Sequence, residues 1–341
     1  MQLILCILGL LLLIAPLRSG RALTPFDTTT TLPLRGLLAL CIVFHHVSQR
    51  YIANSYLPYW CSPFYHFLSM GAPVVATFFF LTGYGLCVSL SRKGTDYLKS
   101  FLPRRFSSFL PEFLLITIAF LCVQCLLGER TPIEQVHRFM LVFKAISPLP
   151  NTWFIYALIY VYIAFFLSAT VARCRLKQTG LIFTGLICLY VGCACLAESD
   201  KVWYASIPSV AIGYIVAYYE VSPSKVSFAT NRGLLMVIWL MPYLIVMFNA
   251  YSVVRFFGMN LLPIVIYLCI RHYGFPQWKF LKITGVLSLN IYLIHGCFLP
   301  YIPRSWSGFV VYPMLVSVVI IVAFLVKRVC DGFIISKRGA S

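Results

Sequence analysis

A chain of 341 residues in which 61% are hydrophobic and only 11% charged does not read as a soluble globular domain. Its long uninterrupted apolar runs argue for helices over the alternating pattern of a transmembrane barrel. A net charge of +18 could suit a nucleic-acid partner, but the basic residues fall on alternate connections between apolar runs, as in a polytopic protein facing an anionic cytoplasmic leaflet.

The chain opens with an apolar run from Gln2 to Leu17, followed by Arg18, Ser19, Gly20 and Arg21. A cleaved signal peptide carries its positive charge before the apolar core, whereas here the charge follows it, so the run reads as an uncleaved helix with its N-terminus outside. Further apolar spans are expected at roughly 33–49, 70–90, 109–127, 152–171, 179–197, 203–219, 233–250, 252–271, 284–301 and 308–326, each near the length a bilayer demands. The predicted fold is therefore all-α: a polytopic membrane protein with ten core helices plus one N-terminal helix. No compositional break marks a second domain, and the chain divides into an N-terminal helix and basic linker (1–32), one membrane domain (33–328) and a basic tail (329–341).

Lysine and arginine set the expected orientation. Nineteen of the 27 lie in the connections 18–32, 91–108, 172–178, 220–232 and 271–283 and from 327 onward; seven lie in the others, and Arg35 sits inside the first core span. The first set belongs in the cytoplasm, so the C-terminus is inside and the longest connection, 128–151, is outside.

The first core span, RGLLALCIVFHH, holds a permanent cation and a histidine pair in apolar surroundings. On a helix rising about 1.5 Å per residue, Arg35 and His46 lie about 16 Å apart on nearly one face. Ionisable groups inside a membrane segment are costly unless they turn inward, pair or meet water, which makes them functional candidates. The bland account is that Arg35 snorkels to headgroups while the histidines bond neighbouring helices.

In the second span, APVVATFFFLTGYGL surrounds Tyr84 with aromatics and with glycines that allow close backbone approach. In the connection before the third span, FLPRRFSSFLPEF places Arg104 and Arg105 at a cytoplasmic helix entrance, where guanidinium forks suit phosphate or simply obey the positive-inside rule. Glu112 follows and could pair with one of these arginines or cap the helix. NTWFIYALIYVY sets Trp153 at the outer boundary with Tyr156 and Tyr160 along one face, a pattern that suits packing. LSLNIYLIHGCFLP carries Ser288, Asn290, Tyr292 and His295, more polar content than lipid tolerates, so some of these must face the protein interior.

In order, these segments resemble the membrane-bound acyltransferase-3 family of O-acyltransferases over about Leu34 to Val326. RGLLALCIVFHH is similar to its opening arginine–glycine helix, with the histidine eleven residues after the arginine selecting His46 over His45. GAPVVATFFFLTGYGL resembles its phenylalanine-rich second helix, FLPRRFSSFLP its arginine motif, NTWFIYALIYVY its Trp-Phe helix and LSLNIYLIHG its late helix.

The resemblance implies ten core helices, an acyl-coenzyme A donor taken from the cytoplasm, with acetyl-coenzyme A the expected one, and transfer to a hydroxyl of a carbohydrate or lipid-linked glycan. It implies a bacterial inner-membrane location. The 13 cysteines sit mostly within apolar runs with no zinc-type spacing to a histidine, so no metal is expected, and the placing of the basic residues by loop argues against nucleic acid. His46 would be the general base, since a neutral imidazole accepts a proton near pH 7. Arg35 would stabilise the oxyanion, grip the donor or keep the histidine neutral. Arg104 and Arg105 would hold donor phosphates, while His45, Tyr84, Trp153, Asn290 and His295 would contact substrate. Two positions depart from the family pattern: Ser108 stands where many members have a further arginine, and Leu158 where many have an acidic residue. A transporter or flippase of an anion, with Arg35 and His46 lining its path, is the competing reading; no internal repeat supports it.

Overall fold

The computed structural model of the chain describes residues 26–52, 67–68, 70–142, 148–221, 252–303 and 308–339. Its helices are α1 (Thr28–Ile52), α2 (Gly71–Lys99), α3 (Phe101–Ser107), α4 (Leu110–Leu126), α5 (Pro132–Leu141), α6 (Trp153–Val171), α7 (Leu176–Leu196), α8 (Pro208–Val221), α9 (Ser252–Tyr273), α10 (Lys279–Val286), α11 (Ser288–Phe298) and α12 (Gly308–Gly339). No strand occurs among the described residues. Eight spans are long and apolar enough to cross a membrane, or nine if the bent pair α10–α11 is counted as one. The expected N-terminal helix and the expected span at 233–250 lie outside the described residues.

Two expectations from the sequence are corrected here. The connection 91–108 is not an open loop: α2 runs on to Lys99 through a kink at Gly94, whose φ of 52° is open to a residue without a Cβ, and α3 follows. The late span expected as one helix over 284–301 starts earlier and is broken, with Lys279–Val286 and Ser288–Tyr301 meeting at 76°. Apolar content locates a span only approximately, and a bend at Leu287 is set by what the two halves pack against.

The described helices group into two compact units that interleave along the chain. In the first, α2 and α8 meet backbone to backbone: a Cβ on Gly83 would strike the carbonyl of Val210, and one on Gly213 the carbonyl of Phe80. Only residues without a side chain allow this approach. Helix α9 joins through Asn260, whose Oδ1 accepts from the amide and hydroxyl of Ser209 and whose Nδ2 donates to the carbonyls of Ala205 and Phe256. At another point Glu220 receives Tyr84 (2.5 Å), Tyr267 (2.9 Å) and Arg271 (2.8 Å), and Phe26 packs edge-on against both tyrosine rings.

The second unit contains α1 from Arg35 onward, α4, α5, the start of α6, and α10 to α12. Here α1 runs alongside α10 and α11 in the same direction. Gly36 sits against Leu281, Thr284 and Gly285, Arg35 donates to Ser288, His46 stacks on His295, and Arg50 donates to the carbonyls of Pro300 and Ile302. Ser48 shares a 2.5 Å hydrogen bond with Tyr312 of α12. Outside the spans, α5 begins with a capping box in which Thr131 and Glu134 satisfy each other's backbone N–H groups, and the Thr131 amide holds the Glu134 carboxyl below its usual range.

Gly213→Ala should lower stability by about 1–3 kcal/mol, because its Cβ meets backbone that cannot turn aside. Gly85, with nothing within 4 Å of a built Cβ, should accept alanine without loss. Thermal melting of the detergent-purified variants checks both.

Candidate active site

The centre of the second unit is a cluster of three imidazoles. His45 and His46 are neighbours on α1, with ring centroids 4.8 Å apart, and His295 of α11 stacks on His46 at 5.0 Å with 27° between planes. Arg35 meets Ser288 (3.2 Å) and His46 meets His295 because the two helices run in the same direction: eleven residues on α1 rise about 16 Å and seven on α11 about 10 Å, and the long Arg35 side chain spans part of the difference, so two polar positions far apart in sequence meet at two heights.

Each ring has a defined partner. His45 Nδ1 lies 3.0 Å from the carbonyl of Phe67, His46 Nδ1 3.0 Å from Gln49 Oε1, and His295 Nδ1 3.1 Å from the carbonyl of Ile291 one turn earlier. The carbonyls of Phe67 and Ile291 only accept, so Nδ1 of His45 and of His295 carries the hydrogen and Nε2 the lone pair; His46 takes the same form when the amide oxygen of Gln49 faces it. His295 is fully buried and its Nε2 has no partner; the same holds for Oδ1 of Asn290. Buried polar atoms are rarely left unmatched, since an unmade hydrogen bond costs about 1–3 kcal/mol.

Around the cluster, Tyr292 packs against His295 at 5.8 Å and donates to the carbonyl of Asn151 at 2.8 Å. Phe154 covers Tyr292 at 5.2 Å, and Gly296 lets Pro150 approach the same helix. Trp153 meets Phe154 edge-on, so its neighbour is the ring that reaches α11. Tyr156 and Tyr160 donate to backbone carbonyls of Val142 and Leu186, as packing residues do. Tyr84 belongs to the first unit, where its hydroxyl is held by Glu220.

At the start of α4 lies a cleft of about 310 Å³ lined by Arg104, Ser107, Ser108, Pro111, Glu112, Lys327 and Cys330. Arg104 is exposed and Arg105 half-buried. Glu112 is joined to Lys327 of α12 at 2.7 Å, and Lys327 also meets Asp331 at 3.3 Å. Lys327, read from the sequence as part of a basic end, is thus a lining residue of this cleft. Hydropathy and charge counts cannot signal that, because the contact spans 215 residues. Ser108 turns its hydroxyl onto the Arg105 carbonyl at 2.6 Å, and Leu158 is buried. No group of three or more potential metal ligands exists among the described residues.

A family model described as an acyltransferase domain matches residues 34–328, nearly the whole chain. The chain belongs to the acyltransferase-3 family. It is therefore a membrane acyltransferase of an O-acyltransferase family. Comparison with curated proteins and with solved structures finds no match. Within this acyltransferase the matched segment includes both the imidazole cluster and the Arg104 cleft.

Lys327→Met should destabilise the acyltransferase by about 3–5 kcal/mol or somewhat less, because it leaves the nearly buried Glu112 carboxylate without its cation, and adding Glu112→Gln should restore most of the loss. A double-mutant cycle on melting temperature checks it.

Proposed function

We propose that the enzyme takes an acyl group, the acetyl group first, from cytoplasmic acyl-coenzyme A and transfers it to a hydroxyl of a carbohydrate or lipid-linked glycan, with His46 as general base. The observation that carries this is the His46 ring itself. It is half-buried and stacked on His295, its Nδ1 is occupied, and its Nε2 is the lone-pair nitrogen.

In the step proposed, Nε2 takes the proton of the acceptor hydroxyl while the oxygen attacks the thioester carbonyl. The carbon–sulfur bond then breaks and the proton passes to the coenzyme A thiolate, so ester and free thiol balance the two substrates. Arg35, fixed beside Ser288 and three turns from His46, is assigned to the donor path or the oxyanion. Asn290 and His295 each offer a buried acceptor near the acceptor substrate. Arg104 supports donor binding, since it opens into a cleft with two serine hydroxyls and Lys327, a setting that suits phosphate oxygens. The family supports an enzyme over an anion path through Arg35 and His46. The distribution of lysine and arginine supports a cytoplasmic C-terminus, and the family resemblance supports a bacterial inner-membrane setting.

His46→Ala should lower acyl transfer by about 10² to 10⁴ while the protein stays folded, whereas His45→Ala should act mainly through stability. Ester formed per milligram of purified protein is the measurement, with melting curves for each variant; near-normal turnover in His46→Ala sinks the base assignment. Replacing Arg104 and Arg105 together by alanine should raise the Michaelis constant for acyl-coenzyme A by about tenfold or more and leave that of the acceptor nearly unchanged, given about 1.5–3 kcal/mol per charge-assisted contact. Steady-state kinetics with each substrate varied in turn decide it.

A further inference from the structure

We infer that Gln49 is a positioning residue that fixes which nitrogen of His46 serves as base; the inference rests on the general-base reading above. Gln49 lies one turn beyond His46 on the same face of α1 and is exposed at its side chain, so its amide has no need of a protein partner for its own sake. It nonetheless brings Oε1 to 3.0 Å from His46 Nδ1. An amide oxygen only accepts, and a neutral imidazole carries one N–H. The contact therefore places the hydrogen on Nδ1 and leaves Nε2 open to the acceptor hydroxyl.

A base held by a third group is the general logic of histidine catalysis, and either a carboxylate or an amide can fill that place. Here the groups that face His46 carry no negative charge. His45 adjoins it on α1, and α11 supplies His295 with Tyr292 beyond it. Phe67 gives its carbonyl to His45, and α12 gives Tyr312 to Ser48. The cations on α1, Arg35 and Arg50, are directed to Ser288 and to the carbonyls of Pro300 and Ile302. No carboxylate touches His46 among the described residues. The amide of Gln49 therefore orients the ring without adding charge.

The test uses the full chain in lipid nanodiscs, with acetyl-coenzyme A as donor and octyl glucoside below its micelle concentration as hydroxyl probe. Ester formation is measured across the pH range in which imidazole titrates. Gln49→Met keeps the length and removes the acceptor; kcat should fall about tenfold or more, the loss of roughly one hydrogen bond, with the Michaelis constant for acetyl-coenzyme A unchanged. Gln49→Glu keeps an acceptor and adds a charge, so turnover should persist at high pH while the acid limb of the profile moves to higher pH, a change that a merely structural role would not produce. Wild-type kcat and pH profile in Gln49→Met overturn the inference. So does a folded Gln49→Glu that is inactive at every pH, since the native amide would then donate to the ring. His46→Ala run in parallel separates the two levels: inactive His46→Ala beside a normal Gln49→Met removes only the role of Gln49, whereas an active His46→Ala removes the general-base reading and this inference with it.

Discussion

How closely α1 can lie on α10 decides what the imidazole cluster can be. Gly36 makes that closeness possible, because a Cβ there would collide with the carbonyl of Leu281, the hydroxyl of Thr284 and the amide of Gly285. With the backbones in contact, Arg35 reaches Ser288 one step away, and the parallel climb of the two helices brings His46 to His295. Any side chain at position 36 would lever α1 away at its base and open the ring contact ten residues further along. The break at Leu287 belongs to the same arrangement, since it separates the stretch that packs on Gly36 from the stretch that carries His295.

In hydrocarbon, where no water can replace a missing partner, buried polar residues divide by whether they are satisfied. In the first unit Asn260 fills its acceptor and donor capacity from Ser209, Ala205 and Phe256, and Glu220 is met by two hydroxyls and a guanidinium. Such groups tie helices together. In the second unit His295 and Asn290 keep buried acceptors unmatched, on the helix that also faces the half-buried His46. The first unit also holds an unmatched buried atom, Thr179 Oγ1, so what sets His295 and Asn290 apart is their place on the helix that stacks against His46.

The charge pattern has a structural counterpart. Glu112 is the one embedded carboxylate in the third expected span, and the sequence suggested an arginine two turns away or a capping role. The ion pair is made with Lys327 of α12, so the two helices are pinned by a contact between residues 215 positions apart, and the cleft that contains Arg104 is walled by it. The choice of partner follows from geometry: an acid in the first turn of α4 points across to the neighbouring helix, while Arg104 lies before the bend at Ser107 to Phe109 that separates α3 from α4.

Much of this was legible in the residues alone. The membrane class, the approximate span positions, the family and the candidate polar positions follow from composition, apolar run length and the order of local motifs, because each of these is a property of short stretches. What only the tertiary structure decided is of another kind: that His295 stacks on His46, that Phe154 covers Tyr292, that Tyr84 serves Glu220, that Lys327 meets Glu112, and that the late span is bent. These depend on helix pairing and on the rotation of each helix about its axis. Apolar residues surround a membrane helix on nearly every face, so hydrophobic periodicity leaves that rotation open, and close contacts such as those at Gly36, Gly83, Gly180, Gly213 and Gly296 select it.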